Sequence, residues 1–303
     1  MRKNYSGGNA SHSKKPQTQS FEVKEPEELM KFLIASLPHK NRNNIKTLLK
    51  KKQVRVDGKS ITQFNHLLKP GQKVSLDTAP APIAKQMRGI SIVHEDKDLI
   101  IVNKNAGLLT MATEKEKRAT VYSILSNYVK EENREAKIFI VHRLDRETSG
   151  LMMFAKSEEM QELLQESWKH TISERTYLAV IEGKLEQPEG TISSYLFESS
   201  VFKVHSTQDP EKGRHAITHY STAKSNEEYS LLKVNLETGR KNQIRVHLQD
   251  LKHPVIGDKK YGSKSNPIGR LGLHAWVLAF EHPVTGKKMR FETSVPGSFL
   301  KLF

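Results

Sequence analysis

The 303-residue chain contains no cysteine, so neither a disulfide framework nor thiolate metal ligation is open to it. No stretch approaches the roughly 18 consecutive apolar residues that a membrane-spanning helix requires. The polar N-terminus lacks the apolar core of a secretion signal. The 13 histidines fall into no HExxH or comparable ligand spacing, so no metal is expected. A glycine-rich phosphate loop is missing too, which argues against a nucleotide-hydrolysing enzyme. These absences lead to the expectation of a soluble, cytoplasmic protein, taken as a monomer by default.

Acidic residues are also in short supply. There are 34 Asp and Glu against 49 Lys and Arg, a formal net charge of +15. The imbalance is concentrated at one end: residues 1–85 hold 17 basic and 6 acidic side chains, the remainder 32 and 28. That pattern suits an electrostatic handle for a polyanion attached to a separate working domain. The plainer alternative is a soluble protein that happens to be basic. An anionic membrane is a weaker candidate, because no amphipathic segment pairs the charge with an aromatic apolar face.

Residues 1–21 have little to bury and read as a disordered basic tail. Pro26, Glu27 and Glu28 suit the first turn of a helix in which Leu29, Phe32, Leu33 and Leu37 keep helical spacing. A second helix carries Ile45, Leu48 and Leu49 on one face and Lys46, Lys50, Lys51 and Lys52 on the rest. Val54 and Val56 then alternate with polar residues up to the Asp57-Gly58 turn signal, and Val74 and Leu76 close an αα-then-β unit over 22–78. Thr78-Ala79-Pro80-Ala81-Pro82 opens a linker over 79–88. Residues 89–303 show more strands than helices, joined mostly by short turns. This predicts an α+β domain with a mixed, largely antiparallel sheet. Its helices are expected at 120–133 and 157–170, and its later strands at 176–182, 192–196, 216–223, 229–236, 243–248, 273–280 and 288–293. Lys203 to His215 reads as a polar loop.

His142-Arg143-Leu144-Asp145-Arg146-Glu147-Thr148-Ser149-Gly150 lies between two apolar strands. On physics alone, Asp145 could simply cap the turn that follows it. The nine-residue run, however, resembles the catalytic signature of RluA-type pseudouridine synthases, which isomerise uridine in RNA. The resemblance makes Asp145 the catalytic aspartate. Thr238 to Leu248 resembles the second family motif, with Arg245 in the place of the arginine that pairs with the aspartate; the alternative is a surface arginine on an edge strand. Asn242 stands where many relatives have histidine, so altered local hydrogen bonding or substrate choice is expected. Glu174 to Ala179 resembles a third motif, in which Tyr177 would stack on the target uracil and its hydroxyl take part in proton handling. A lone strand tyrosine would otherwise read as a sheet-face residue.

By the same resemblance, Arg143 would fill the space left by a uridine swung out of folded RNA. Arg146 reads as a phosphate contact, and Leu273 as a wall of the uracil pocket. His253 to Gly262, Leu273-His274-Ala275, His282-Pro283 and Thr285-Gly286 follow in the family's order and read as structural turns and packing. Asn105 replaces the family's usual proline in the stretch Asn103 to Leu108. The N-terminal unit resembles an S4 RNA-binding domain, which would make Lys50, Lys51, Lys52 and Arg55 a phosphate platform; the alternative is an ordinary solvated helix face.

The reaction so implied needs no metal or other cofactor. It breaks uracil N1 from ribose C1′, turns the base, and rejoins it through C5. Asp145 would either attack C1′ or take a proton from C2′, and the sequence leaves both routes open. Large-subunit ribosomal RNA is the expected partner, with transfer RNA the alternative. A non-catalytic RNA-binding or ribosome-assembly protein is the rival from another class. A glycosidase-like hydrolase would be expected to offer a second catalytic carboxylate, which the motif lacks.

Overall fold

The computed structural model describes residues 18–37, 42–50, 53–77, 87–114, 116 and 119–303. The chain divides into two compact units, Met1–Ile83 and Ala84–Phe303, at a point inside the stretch expected to be a linker. Most of that stretch lies outside the described residues, as do the tail through residue 17, Lys51, Lys52 and the side chain of Lys50.

In the first unit, β1 (Thr18–Glu22) and β2 (Glu27–Glu28) precede α1 (Leu29–Ser36) and α2 (Arg42–Lys50). They are followed by β3 (Val54–Val56), β4 (Lys59–Ser60), β5 (Leu67–Leu68) and β6 (Lys73–Asp77). Strand order is β1-β6-β3-β4, with β2 and β5 forming a separate pair. Two expectations shift here. The end of the expected disordered tail is a strand, because Thr18–Glu22 finds the open edge of β6. Glu27 and Glu28 are extended and pair with Leu67-Leu68, so the first helix begins only at Leu29. The predicted apolar stripe is intact: Leu29, Phe32, Leu33 and Leu37 are buried with Ile45, Leu49, Val54, Val56, Val74 and Leu76.

The second unit opens with β7 (Ile90–Glu95), β8 (Leu99–Lys104), α3 (Val121–Glu132), β9 (Phe139–Ile140) and β10 (Ser149–Ala155). It continues with α4 (Glu158–Glu166), α5 (Trp168–Thr171), β11 (Ile172–Glu182), β12 (Glu189–Glu198), β13 (Val204–Thr207), β14 (Arg214–Ser225) and β15 (Tyr229–Leu236). Then come α6 (Gln243–Asp250), a 3-10 turn at Lys259–Tyr261, β16 (Leu273–Glu281), β17 (Lys288–Glu292) and α7 (Gly297–Leu300). Eleven strands make one sheet in the order β13-β12-β14-β15-β11-β16-β10-β8-β7, with β17 on β16 and β9 on β10. Every pairing is antiparallel except β10 with β16, so the sheet is mixed and largely antiparallel as expected.

β10 is buried at all seven positions, and from Leu151 to Ala155 it reads as an unbroken apolar run. Its alternate residues serve different cores: Met152 and Phe154 pack with Val121 and Leu125 of α3, and Leu151 and Met153 with Met160 and Leu164 of α4. Thr120 and Ser123 cap α3 reciprocally, and Ser157 caps α4. Gly150 carries φ 115°, and a Cβ there would lie 2.1 Å from the Ala275 carbonyl oxygen. Only glycine lets β10 and β16 approach this closely as parallel neighbours.

Two expectations for this unit are corrected. Residues 243–248 are helical, in α6. The alternation of Ile244, Val246 and Leu248 imitates a strand, but Gln243 before them and His247 among them are buried as well. A short helix enclosed on several sides loses its amphipathic signature. Within the stretch read as a polar loop, Val204–Thr207 is a strand on the edge of β12, and Arg214 and His215 already belong to β14.

Candidate active site

The loop between β9 and β10 is held on both sides of Asp145. His142 Nε2 accepts the Met153 N–H at 3.1 Å, which fixes that ring in one tautomer. Burial, and then Arg175, push the His142 pKa down to about 3, so the ring serves as a neutral anchor. Leu144 is buried, and the Thr110 hydroxyl both donates to its carbonyl at 2.8 Å and accepts its N–H at 3.3 Å. The Arg146 carbonyl accepts from Lys104 Nζ and from the Gly107 N–H, each at 2.9 Å. Lys104 is fully buried, with its ammonium also donating to the carbonyls of Asn105 and Leu108. Burial pushes its pKa down to about 8, against the opposing pull of Glu147 and Asp145. Anchored at 142, 144 and 146, the loop leaves residue 145 little freedom. The Asp145 side chain does not cap the following turn; its backbone carbonyl takes the Thr148 N–H instead.

The carboxylate faces Arg245, whose Nη1 donates to Asp145 Oδ2 at 3.1 Å. Arg245 projects from the first turn of α6. Buried polar pegs dock that helix on the sheet: Gln243 donates to Ile217 O and Thr218 Oγ1, and His247 lies between Ser194 and Thr218. Asn242 precedes the helix with φ 56°, a conformation asparagine tolerates. Its side chain accepts from Arg245 Nη1 at 3.2 Å and donates to the Tyr261 hydroxyl at 2.9 Å. Asn242 therefore takes part in holding the guanidinium.

Asp258 is the residue that the sequence reading passed over as part of a structural turn. Its carboxylate, 1% exposed, receives Arg245 Nε at 2.6 Å and Nη2 at 2.8 Å. The same side chain caps the 3-10 turn at Tyr261, and the Tyr261 ring lies 4.9 Å from the guanidinium carbon. Glu182 fixes the segment that follows, accepting four hydrogen bonds from Ser263, Lys264 and Ser265. Burial works against the charge of Arg245, but Asp258 and then Asp145 hold its pKa above the ordinary guanidinium value. Arg245 is thus clamped by one carboxylate and presented to another.

Asp145, Arg245, Tyr177, Leu273 and Arg143 all line a single cleft with Thr148, Leu236 and Ile244. Burial raises the Tyr177 pKa, with Arg175 opposing and Asp145 reinforcing, so its hydroxyl stays protonated at neutral pH. Leu273, Leu236 and Ile244 supply apolar wall. Arg143 is exposed at the rim. Arg146 does not line this cleft; its half-exposed guanidinium reaches Glu116 at 4.0 Å. Arg55, in the other unit, donates to the Gly58 carbonyl at 3.4 Å across its hairpin turn.

Among the described residues, one His/Asp group has a spacing that suits a cation: Asp96, Asp98 and His282, with ligand atoms within 4.8 Å of one another. Asp96 and Asp98 lie in the β7–β8 turn and His282 just after β16, and none of the three lines the cleft. No helix among the described residues is long and apolar enough to cross a membrane.

The loop that carries Asp145, all of α6 and every residue of the cleft except Leu273 fall within residues 98–250, which match the sequence profile of RNA pseudouridylate synthase. An uncharacterised RNA pseudouridine synthase of Mycoplasma pneumoniae is 33% identical over 294 residues, 93% of each chain. Ribosomal large subunit pseudouridine synthase D of Yersinia pestis is 31% identical over 282 residues, 88% of this chain and 86% of that protein. The solved structure of human RNA pseudouridylate synthase domain containing 4 shares the fold, with a TM-score of 0.57 at 23% identity over 69% of this chain and 90% of that one. The chain belongs to the RNA pseudouridylate synthase family.

Proposed function

We propose that this RNA pseudouridine synthase acts on structured large-subunit ribosomal RNA and uses Asp145 as its single reagent carboxylate. The observation that carries the reading is the Asp145–Arg245 pair at 3.1 Å in a cleft shared with Tyr177 and Leu273. The isomerisation breaks the N1–C1′ bond, forms the C5–C1′ bond, moves a proton off C5 and leaves one on N1. It consumes no co-reactant. Asp145 opens the sequence at the sugar, either by attacking C1′ or by removing the C2′ proton. Arg245, held by Asp258, keeps that oxygen aimed into the cleft and shields it from turning outward. Tyr177, a protonated phenol, lies against the uracil as a stacking surface and hydrogen-bond donor. Leu273 closes the opposite wall.

Arg143 takes the space left by the flipped nucleotide, an extrusion that costs a few kcal/mol of unstacking. Arg146 meets a phosphate outside the cleft. The N-terminal unit acts as an S4-like handle in which Lys50, Lys51, Lys52 and Arg55 meet RNA phosphates. The exposed Arg42 and Lys46 on α2 favour that placement. The relative from Yersinia pestis named for the large ribosomal subunit supports the choice of RNA. The test is tritium release from transcripts of large-subunit ribosomal RNA and of transfer RNA labelled at uracil C5. Release from the ribosomal transcript alone is expected. Release from transfer RNA alone would move the substrate class, and release from neither would favour a binding protein that keeps the scaffold.

A further inference from the structure

The cleft continues into a second basin lined by Val141, His142, Trp168, Arg175 and Thr238. Arg143, Tyr177, Leu236, Gly239 and Arg240 border both basins. Its volume is about 540 Å³, within the range of about 300–1,000 Å³ usual for small-ligand pockets.

Arg175 is the unusual element. Its guanidinium is partly buried, and burial holds its pKa below the ordinary value. Its one side-chain hydrogen bond among the described residues is a long one, Nη2 to the Leu236 carbonyl at 3.3 Å. Among the described residues no carboxylate pairs with it: Glu174 is engaged by Arg290 and Thr176, and Glu237 by His219. The exposed Glu166 on the rim makes no ion pair with it either. Gly239 lies beside it, and a Cβ there would come within 2.9 Å of Nη1. The guanidinium carbon lies 5.6 Å from the centre of the Trp168 ring, and His142 packs on the same indole. A planar cation with spare donors, set against an aromatic ring beside two further arginines, matches a phosphodiester and its base.

We infer that this basin is a nucleotide subsite that holds the residue next to the target uridine, with Arg175 on its phosphate and Trp168 against its base. The inference rests on the Asp145 cleft taking uridine in RNA. Arg143, at the border of the two basins, then stands between the flipped uridine and its neighbour. Specificity for the flanking nucleotide arises here and not at Asp145.

The test uses the full chain carrying Trp276→Phe, which leaves Trp168 as its one remaining tryptophan. Two probes are titrated, uridine and single-stranded pentauridylate, the second also in a fluorescein-labelled form. Pentauridylate should quench Trp168 saturably, and uridine, lacking a phosphate, should not. Arg175→Gln should weaken the pentauridylate Kd about tenfold or more, the loss of one charge-assisted contact, with an unchanged melting temperature. Trp168→Phe should bind within about threefold of the parent and Trp168→Ala at least about fivefold more weakly. The subsite is overturned by a silent Trp168 while the labelled oligomer binds, by no binding of that oligomer at millimolar concentration, or by an Arg175→Gln protein that binds as the parent does. Tritium release from C5-labelled RNA is followed in parallel. Release retained beside a silent Trp168 removes the subsite and leaves the proposed reaction standing; no release by wild type removes both.

Discussion

Asp258→Asn takes one charge from a side chain that is 1% exposed and holds Arg245 through two hydrogen bonds of 2.6 and 2.8 Å. An amide can accept from Nε or from Nη2, but its NH₂ group must then face the other donor. One charge-assisted bond is lost outright, worth about 1.5–3 kcal/mol. If that orientation energy is needed to hold Arg245 against Asp145 in the transition state, kcat should fall roughly 10- to 150-fold. The melting temperature should fall too, because a largely buried guanidinium loses its main counter-charge. Breaking such a pair costs about 3–5 kcal/mol at full burial, and the remaining contact to Asp145 trims that. RNA affinity should stay within about threefold, since the buried Asp258 carboxylate is out of reach of a polyanion. Single-turnover tritium release, thermal melting and a filter-binding titration read the three quantities separately. A single-turnover rate within about threefold of wild type would refute the claim that Asp258 positions the guanidinium that faces Asp145, whatever happens to stability.

Lys104→Met leaves the carbonyls of Asn105 and Leu108 without their donor and that of Arg146 with the Gly107 N–H alone, offset partly by removing a buried charge. A net loss of about 2 kcal/mol in urea unfolding is expected, together with slower tritium release as the Arg146 end of the loop loosens. An unchanged unfolding midpoint would show that the buried ammonium is not a strut. Gly150→Ala drives a Cβ into the Ala275 backbone at a φ that alanine resists, so at least about 3 kcal/mol should be lost, or soluble protein altogether. Wild-type stability in that variant would mean that β10 and β16 can part. Burial pushes both His247 and His274 down to about 4, and Arg270 adds to the effect at His274. Between pH 6.5 and 4 the unfolded chain therefore binds protons that the folded chain refuses, and stability is lost as the pH falls through that window. The slope should be about 1.4 kcal/mol per pH unit for each ring, and His247→Asn should remove one proton from it. Stability that rises on acidification would contradict the burial of these rings.

The chemistry-bearing part of the site was legible because it is written in contiguous runs. The run 142–150 places the loop, and the Thr238–Leu248 run places Arg245, even though the second was read as a strand. That misreading came from Ile244, Val246 and Leu248, whose alternation is equally compatible with a short helix buried on several faces. Asp258 was illegible for a different reason. A single aspartate before Lys-Lys-Tyr-Gly reads as a turn cap, and it is one; its pairing with Arg245, 13 residues earlier, leaves no mark in the local pattern. Lys104 shows the same limit. A lysine at the end of Leu99-Ile100-Ile101-Val102-Asn103 reads as a polar strand end, whereas it is fully buried, with its ammonium on two carbonyls of the loop that follows it and one, Arg146, from 42 residues away. Local periodicity reports which face of an element is covered, not what polar group waits beneath.

The most direct test compares wild type with Asp145→Asn on large-subunit ribosomal RNA labelled with tritium at uracil C5, with RNA affinity measured alongside. Release by wild type, its loss in the variant, and affinities within a few fold of each other are the predicted result. Comparable release from the Asn variant would take the carboxylate facing Arg245 out of the reaction and contradict the account at its centre.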